Sequence, residues 1–447
     1  MNEDLSRHLI DLAVSAGKKM YREDTGFVTN QEGIIVLSDN FLYALALLRS
    51  RTHENMLKAR NLLDRLYFFQ QLFEDVEEYG SFPVALHEFP RCEDKCQAVH
   101  ILTVLYWIQK DFGHVINKKL SVVIEKLLSY CEALQIEHFP VWAKVKTAAV
   151  LHAFGKKAVF PDASEFYLPD PASLSQMMLA YQLAPSAIDW KPFWHLVAKT
   201  WHQGSKRYGG PAFRVFQDQY EQQVTLYDYF MGLFTGSIAS VADRPEPQAL
   251  ACALIQPEHM VFESENECHE EAWSTFKTDL FAVSVVEDAP SKPQGSGFSP
   301  FYLIAGTHSL CLEVVKGQMV GYEKKNNTYE LLIDIDKEDF CEEKNNSLLS
   351  FWFDDQKDCS ILVSGHKASC FQINEPVTIT LGKVKVLLHF EQVLGNSQLV
   401  CHINRANRKS QRLLKTRTEA YDTQLFLRAV RGSLPCKIKA ILCILDV

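Results

Sequence analysis

Gln256-Pro257-Glu258 and the polar run Glu263-Ser264-Glu265-Asn266-Glu267-Cys268-His269-Glu270-Glu271 stand between two different grammars. Before them the apolar residues recur at helical spacing. After Trp273 they alternate, beginning with Leu280-Phe281-Ala282-Val283-Ser284-Val285-Val286. Proline closes the helical pattern because it has no N–H to donate. A switch from a period of 3.6 to a period of 2 marks a change of architecture. The division predicts a helical domain over 1–256 and an antiparallel β-sandwich over 274–447.

Upstream of the switch, Leu5, Leu9, Leu12 and Ala13 form one stripe, which Ala16 and Met20 extend. Ser38-Asp39-Asn40 reads as an N-cap cluster for the run Phe41 to Leu48. His53 to Phe73 is amphipathic, and Asp94 opens a helix carrying Val99, Leu102, Leu105 and Trp107. Further helices are expected at 118–134, 140–154, 172–184, 189–203, 222–240 and 246–256. Helices apolar all round (41–48, 98–107, 148–154, 229–240) alternate with charged ones (53–64, 117–132, 191–202). The former are read as inner and the latter as outer. That alternation predicts stacked helical hairpins in an arc or ring.

Downstream, about eleven short strands are expected, separated by turn signals such as Lys325-Asn326-Asn327, Gly365, Gly382-Lys383 and Gly395-Asn396. Such strands with no intervening helix require two packed antiparallel sheets. The stretch Asp288 to Ser299 reads as a surface loop.

The chain has 447 residues, 47% hydrophobic and 23% charged, the balance of a folded protein with more than one core. A net charge of −9 argues against a nucleic-acid partner, whose footprint is basic. No apolar run is long enough to span a membrane. No leader is visible after Met1, so the expected location is cytoplasmic. The 12 cysteines form no spaced framework, and Cys92 and Cys96 lack the second ligand pair a structural zinc needs. No cofactor is expected, and the nucleotide-binding and hydrolase motifs are absent.

A ring of helical hairpins followed by a large sandwich resembles the α/α-toroid polysaccharide lyases, of the heparinase II/III-like and alginate-lyase-like kind. The resemblance lies in domain order and element type over nearly the whole chain. It implies a multidomain α+β fold with an incomplete (α/α) toroid, and a cleft across that toroid. It further implies β-elimination from a uronic acid in an acidic oligo- or polysaccharide. In such enzymes tyrosine and histidine serve as base and acid, and Asn, His or Arg neutralises the sugar carboxylate.

Four segments carry residues of the right chemistry. Tyr208-Gly209-Gly210-Pro211-Ala212-Phe213-Arg214 cannot continue a helix, and it leads to Tyr220, Tyr227, Asp228 and Tyr229. Arg214 can pair with a carboxylate, and a cation beside a tyrosine favours the phenolate. The connection 79–91 holds His87, Glu88 and Arg91 within five residues, and its competing reading is a solvated surface loop. Asn40 at an inner helix start reads first as a cap and second as a carboxylate ligand. Trp142, Lys144 and Lys146 begin another inner helix and are expected on the same rim, where Trp142 can stack on a sugar ring. The basic run Arg405, Arg408, Lys409, Arg412, Lys415 and Arg417 is read as a solvated loop, with Asp334 to Glu343 as its electrostatic complement.

Three functions follow. A lyase would use His87, Arg214 and one of Tyr220, Tyr227 and Tyr229. A glycoside hydrolase would use Glu88 and Asp228 as paired carboxylates. A non-catalytic binding or assembly protein would use the helical arc as a concave surface.

Overall fold

The computed structural model describes residues 3–446, except 30–32, 93, 163–170, 203, 206, 212–265, 270–272, 287–298, 307, 316, 336–346, 354–357, 397, 406–422 and 432–434. The fold is mixed α+β, and the described residues divide into two compact units, one up to Leu196 and one from Val197. The expected helices at 222–240 and 246–256 lie outside the described residues, as do the expected loop after Asp288 and most of the basic run.

The first unit is built on α1 (Glu3–Met20), α2 (Leu37–Arg49), α3 (His53–Leu66), α4 (Lys95–Phe112), α5 (Lys119–Ala133), α6 (Val141–Ala153) and α7 (Pro171–Leu183), followed by α8 (Lys191–Thr200). A short ribbon, β1 (Tyr21–Arg22) with β2 (Phe27–Val28), precedes α2. Helix α2 is buried from Asp39 to Leu48, and α6 is buried at Ala143 and from Val145 to Leu151. Helix α3, by contrast, buries only Ala59, Leu62, Leu63 and Leu66. Inner helix α4 neighbours both α2 and α6, while α3 packs on α2 and α5 on α4 and α6. Burial all round follows from an apolar circumference, and one buried stripe from an amphipathic one. Asp94 caps α4 as expected, its carboxylate accepting from the Cys96 N–H at 2.8 Å.

The start of α2 corrects one expectation. The helix begins at Leu37, and its N-cap is Val36, which has no capping side chain. The Leu37 N–H is taken instead by Val84 O at 2.9 Å, in a two-strand contact where Val36 bridges Ala85. Ser38, Asp39 and Asn40 therefore sit inside the first turn.

In the second unit α8 ends in a ribbon of β3 (Trp201–His202) and β4 (Arg207–Tyr208). The buried Lys277 ammonium donates to Ala198 O and Trp201 O, carbonyls that a helix end leaves unpaired. His202 is buried between Ser205 Oγ and Thr278 O, each at 2.7 Å.

Fifteen described strands then form two antiparallel sheets. They are β5 (Asn266–His269), β6 (Trp273–Lys277), β7 (Ala282–Val286), β8 (Phe301–Ala305), β9 (His308–Val314), β10 (Gln318–Lys325), β11 (Thr328–Ile335), β12 (Ser347–Phe353), β13 (Cys359–Val363), β14 (Cys370–Gln372), β15 (Val377–Leu381), β16 (Val384–Leu394), β17 (Gln398–Arg405), β18 (Thr423–Arg431) and β19 (Cys436–Asp446). One sheet runs β14-β17-β18-β12-β9-β8-β7-β6-β5, and the other β10-β11-β19-β16-β15-β13. Tyr329, Leu331, Ile333 and Ile335 of β11 meet Phe301, Phe351 and Leu427 of the facing sheet in one core. Alternate residues face outward, where Lys437 pairs with Asp334 at 2.9 Å and Lys439 with Glu330 at 3.0 Å. The polar stretch before Trp273 contains β5, an edge strand, where charged side chains are tolerated.

Candidate functional site

The expected site residues fall into three groups. Arg214, Tyr220, Tyr227, Asp228 and Tyr229 lie outside the described residues. His87, Glu88 and Arg91 are exposed on the connection between α3 and α4. Asn40 and Trp142 lie on inner helices.

The connection is firmly tied. Gln70 Nε2 donates to Gly80 O at 2.8 Å and to Val123 O at 2.9 Å, while Gln71 Nε2 donates to Pro90 O at 2.6 Å. A 3-10 turn, Leu86–Glu88, presents His87 to solvent. The Glu88 carboxylate turns back to accept from the Ala85 N–H at 3.2 Å. The charged residues are thus solvated, and the segment is held by buried glutamines.

Asn40 is fully buried. Its Oδ1 accepts from the Val28 N–H at 2.8 Å, and its Nδ2 donates to Val28 O at 2.9 Å and Val36 O at 2.8 Å. The amide neither caps the helix nor faces a ligand. It ties the first ribbon to α2, and the expectation that it neutralises a carboxylate is corrected on that ground.

Chemistry gathers instead around Lys146. Cys96 and His100 are four residues apart on α4, and Trp142 and Lys146 are four apart on α6. Residues at that spacing share a helix face. Because α4 and α6 are neighbours, the two pairs meet. Lys146 Nζ lies 2.7 Å from His100 Nδ1 and 2.8 Å from Gln176 Oε1, contributed by α7. The Trp142 ring lies 6.2 Å from the His100 ring, inclined by 31°. Lys146 is 1% exposed and Gln176 6%, while Cys96, His100 and Trp142 remain half-buried. The amine is therefore enclosed, while its neighbours on α4 and Trp142 on α6 keep part of their surface.

The electrostatics follow from that enclosure. Burial disfavours the ammonium and lowers the Lys146 pKa to about 7, against a smaller opposing pull from Cys96. Burial, and then the Lys146 charge, hold His100 well below the ordinary histidine range. Burial first and Asp94 second push the Cys96 thiol up. A neutral imidazole that accepts at Nδ1 carries its proton on Nε2. Near neutrality the cluster therefore holds one amine poised between base and cation, beside a neutral imidazole and an indole face. Among the described residues no group of three or more His, Cys, Asp or Glu is placed to hold a metal ion.

The sequence placed Trp142 and Lys146 on one rim but did not connect them with His100 and Gln176. The i, i+4 pairs were visible. Which helices face each other is a tertiary property and was not.

No protein-family model matches this chain, and no curated protein matches it. Among solved structures, a Streptomyces coelicolor A3 chondroitin AC lyase variant aligns at 7% identity over 99% of this chain and 80% of that one, with a TM-score of 0.44. A heparinase III aligns at 9% identity over 91% of this chain and 59% of that one, with a TM-score of 0.19. Neither score reaches the level that shows a common fold.

Proposed function

We propose that the chain is a carbohydrate-active protein that cleaves an acidic glycan by β-elimination, with an incomplete toroid as its helical scaffold. The observation that carries this reading is the Lys146 amine, buried between His100 and Gln176 at 2.7 and 2.8 Å, with the Trp142 ring alongside His100. β-Elimination begins with removal of the proton next to the uronate carboxylate. A base serves best when its pKa lies near the working pH. Lys146, at about 7, meets that requirement without a metal. Trp142 supplies the flat apolar face against which a sugar ring stacks. Once Lys146 has taken the proton, its positive charge stands beside the carboxylate on which negative charge has developed.

Arg214 remains the proposed neutraliser of the substrate carboxylate, and Tyr220, Tyr227 or Tyr229 the proposed acid for the leaving oxygen. His87, Glu88 and Arg91 are proposed rim contacts. Purified protein is tested against a panel of uronic-acid glycans by the ultraviolet absorbance of the unsaturated product. The expected result is turnover that rises with pH through about 7, as Lys146 loses its proton, and that disappears in Lys146→Met. Silence on the whole panel overturns the proposal. Full turnover by Lys146→Met removes Lys146 from the mechanism.

A further inference from the structure

We propose that the exposed apolar cluster of Phe68, Leu72 and Phe73, with Glu74 and Asp75 beside it, docks a basic amphipathic segment of a partner protein. This goes beyond glycan cleavage and does not depend on it.

The connection after α3 inverts the usual placement of side chains. Phe68 is 78% exposed, Phe73 55% and Leu72 47%, whereas Gln70 and Gln71 between them are 3% exposed each. Single apolar residues are scattered over any soluble surface, but three large ones within six positions make a patch. The inversion is fixed by hydrogen bonds. Gln70 is anchored to Gly80 O and Val123 O, and the Gln71 side chain to Pro90 O. The Gln71 N–H donates to Ser81 O at 2.8 Å, and its carbonyl accepts from the Gly80 N–H at 2.7 Å. Gln71 Oε1 accepts from the Phe73 N–H at 2.9 Å. The glutamines hold the inward positions, so the phenylalanines cannot turn in without breaking these bonds. The Phe68 ring meets Phe69 edge-on at 5.8 Å, and Phe69 meets Phe89 at 5.8 Å, so packed aromatic rings back the patch. A surface ordered in advance loses little entropy when a partner covers it.

Charge selects the occupant. Phe73 is followed by Glu74, Asp75, Glu77 and Glu78. Lys95 pairs with Glu77 at 3.0 Å. Glu74 and Asp75 are exposed and have no ion-pair partner among the described residues. A second copy of this chain would meet the patch across a two-fold axis and set one acidic run against the other. An acidic glycan or an anionic membrane surface meets the same repulsion. A segment with apolar residues on one side and lysine or arginine along its edge satisfies both halves. It covers the phenylalanines and places cations against the two carboxylates.

The test uses the full chain and a short fluorescent peptide of leucine and lysine in amphipathic helical order, with binding read by fluorescence anisotropy. A peptide of the same pattern with glutamate in place of lysine is the control. The lysine peptide is expected to bind in the micromolar range and the glutamate peptide not to bind. Phe68→Ser/Phe73→Ser, which changes exposed side chains only, should weaken binding by about tenfold or more. Glu74→Gln/Asp75→Asn leaves the apolar residues in place and should weaken it about threefold, with a flatter salt dependence. Absence of binding, equal binding of the two peptides, or unchanged affinity in either double variant overturns the proposal. Sedimentation velocity of the chain alone and flotation with vesicles of phosphatidylcholine and phosphatidylserine examine the other occupants. A dimer or a vesicle complex that the serine substitutions abolish would also overturn it. Glycan turnover enters none of these readouts, so a failed elimination assay and a failed docking assay remain separate results.

Discussion

Lys146→Met gives the sharpest test of the electrostatics at the candidate site. The folded-state pKa is about 7 against an ordinary value of 10.5, so between those values the unfolded chain binds more protons than the folded one. Stability must therefore rise with pH across that window, by about 1.4 kcal/mol per unit. Below pH 7 the penalty for burying the ammonium is fully present, at about 5 kcal/mol for a shift of this size. Methionine has nothing to titrate and removes that penalty. It also strips the donor from His100 Nδ1 and Gln176 Oε1, and two orphaned buried acceptors cost about 1–3 kcal/mol each.

The two effects nearly cancel at pH 6.5 to 7, where variant and wild type should be equally stable within about 2 kcal/mol. At pH 9 the residual penalty in the wild type has fallen to about 2 kcal/mol, so the variant should be the less stable by about 2 kcal/mol. Urea titrations followed by far-ultraviolet ellipticity at pH 7, 8 and 9 measure the difference, and groups common to both proteins cancel. The window also lies above the titration of His100, which burial depresses. A wild type minus variant difference that stays constant from pH 7 to 9 would mean that Lys146 titrates as an ordinary lysine, and would refute the reasoning.

Three further outcomes follow from the same structure. Asn40→Ala removes three hydrogen bonds and leaves Val28 N and Val28 O without their side-chain partner, while Val36 O keeps the backbone N–H of position 40 at 3.3 Å, so it should destabilise the helical unit by about 3 kcal/mol in a urea melt. Gly80→Ala should destabilise by about 2 kcal/mol or more, because φ is +92° and a Cβ would stand 2.5 Å from Lys126 O. The His308 hydrogen bond holds the Asp358 carboxyl below its ordinary range. Its contribution is present above the unfolded carboxyl pKa and is lost as pH falls through the folded one. Asp358 is mostly exposed, so solvent screening keeps that contribution under about 1 kcal/mol. Acid melts of Asp358→Asn should therefore show a slightly shallower loss of stability below pH 4 than the wild type.

The helical character up to Thr200 and the strand character from Trp273 were legible because each rests on a period that runs through long segments. Inner α2 and outer α3 could be told apart from composition, since Phe41 to Leu48 has no polar side and His53 to Leu66 has one. The edge strands β5 and β10 were missed for a physical reason. Gln318–Lys325 is at most half-buried and carries Glu323, Lys324 and Lys325, so it lacks the apolar alternation that marks strands with a buried face. Asn40 misled because an asparagine near a helix start is favoured as a cap whatever its side chain finally meets. Backbone pairing with Val84 set the true start, and that pairing spans residues far apart in sequence. The Lys146 cluster draws on three helices, and nothing in α6 alone names His100 or Gln176 as partners.

The position of Lys146 still needs a cause. It lies in a helix whose neighbours Val145, Thr147, Ala148, Ala149 and Val150 are buried, and most of these are apolar. A fold needs no lysine there. Burying its charge costs about 5 kcal/mol at low pH, comparable with the whole stability of a typical domain. An apolar side chain would fill the space without that cost, and His100 and Gln176 could be apolar with it, since replacing a whole buried polar set by hydrophobic groups is often neutral or stabilising. Packing therefore does not explain the three polar residues. A structural network would be content with any satisfied geometry. This one leaves an amine near its neutral point, close to half-buried aromatic and thiol groups. Strongly shifted groups of that kind concentrate where a protein handles protons or reactive carbon. That is the reason to propose the chemistry on α4, α6 and α7 in place of the exposed His87 and Glu88.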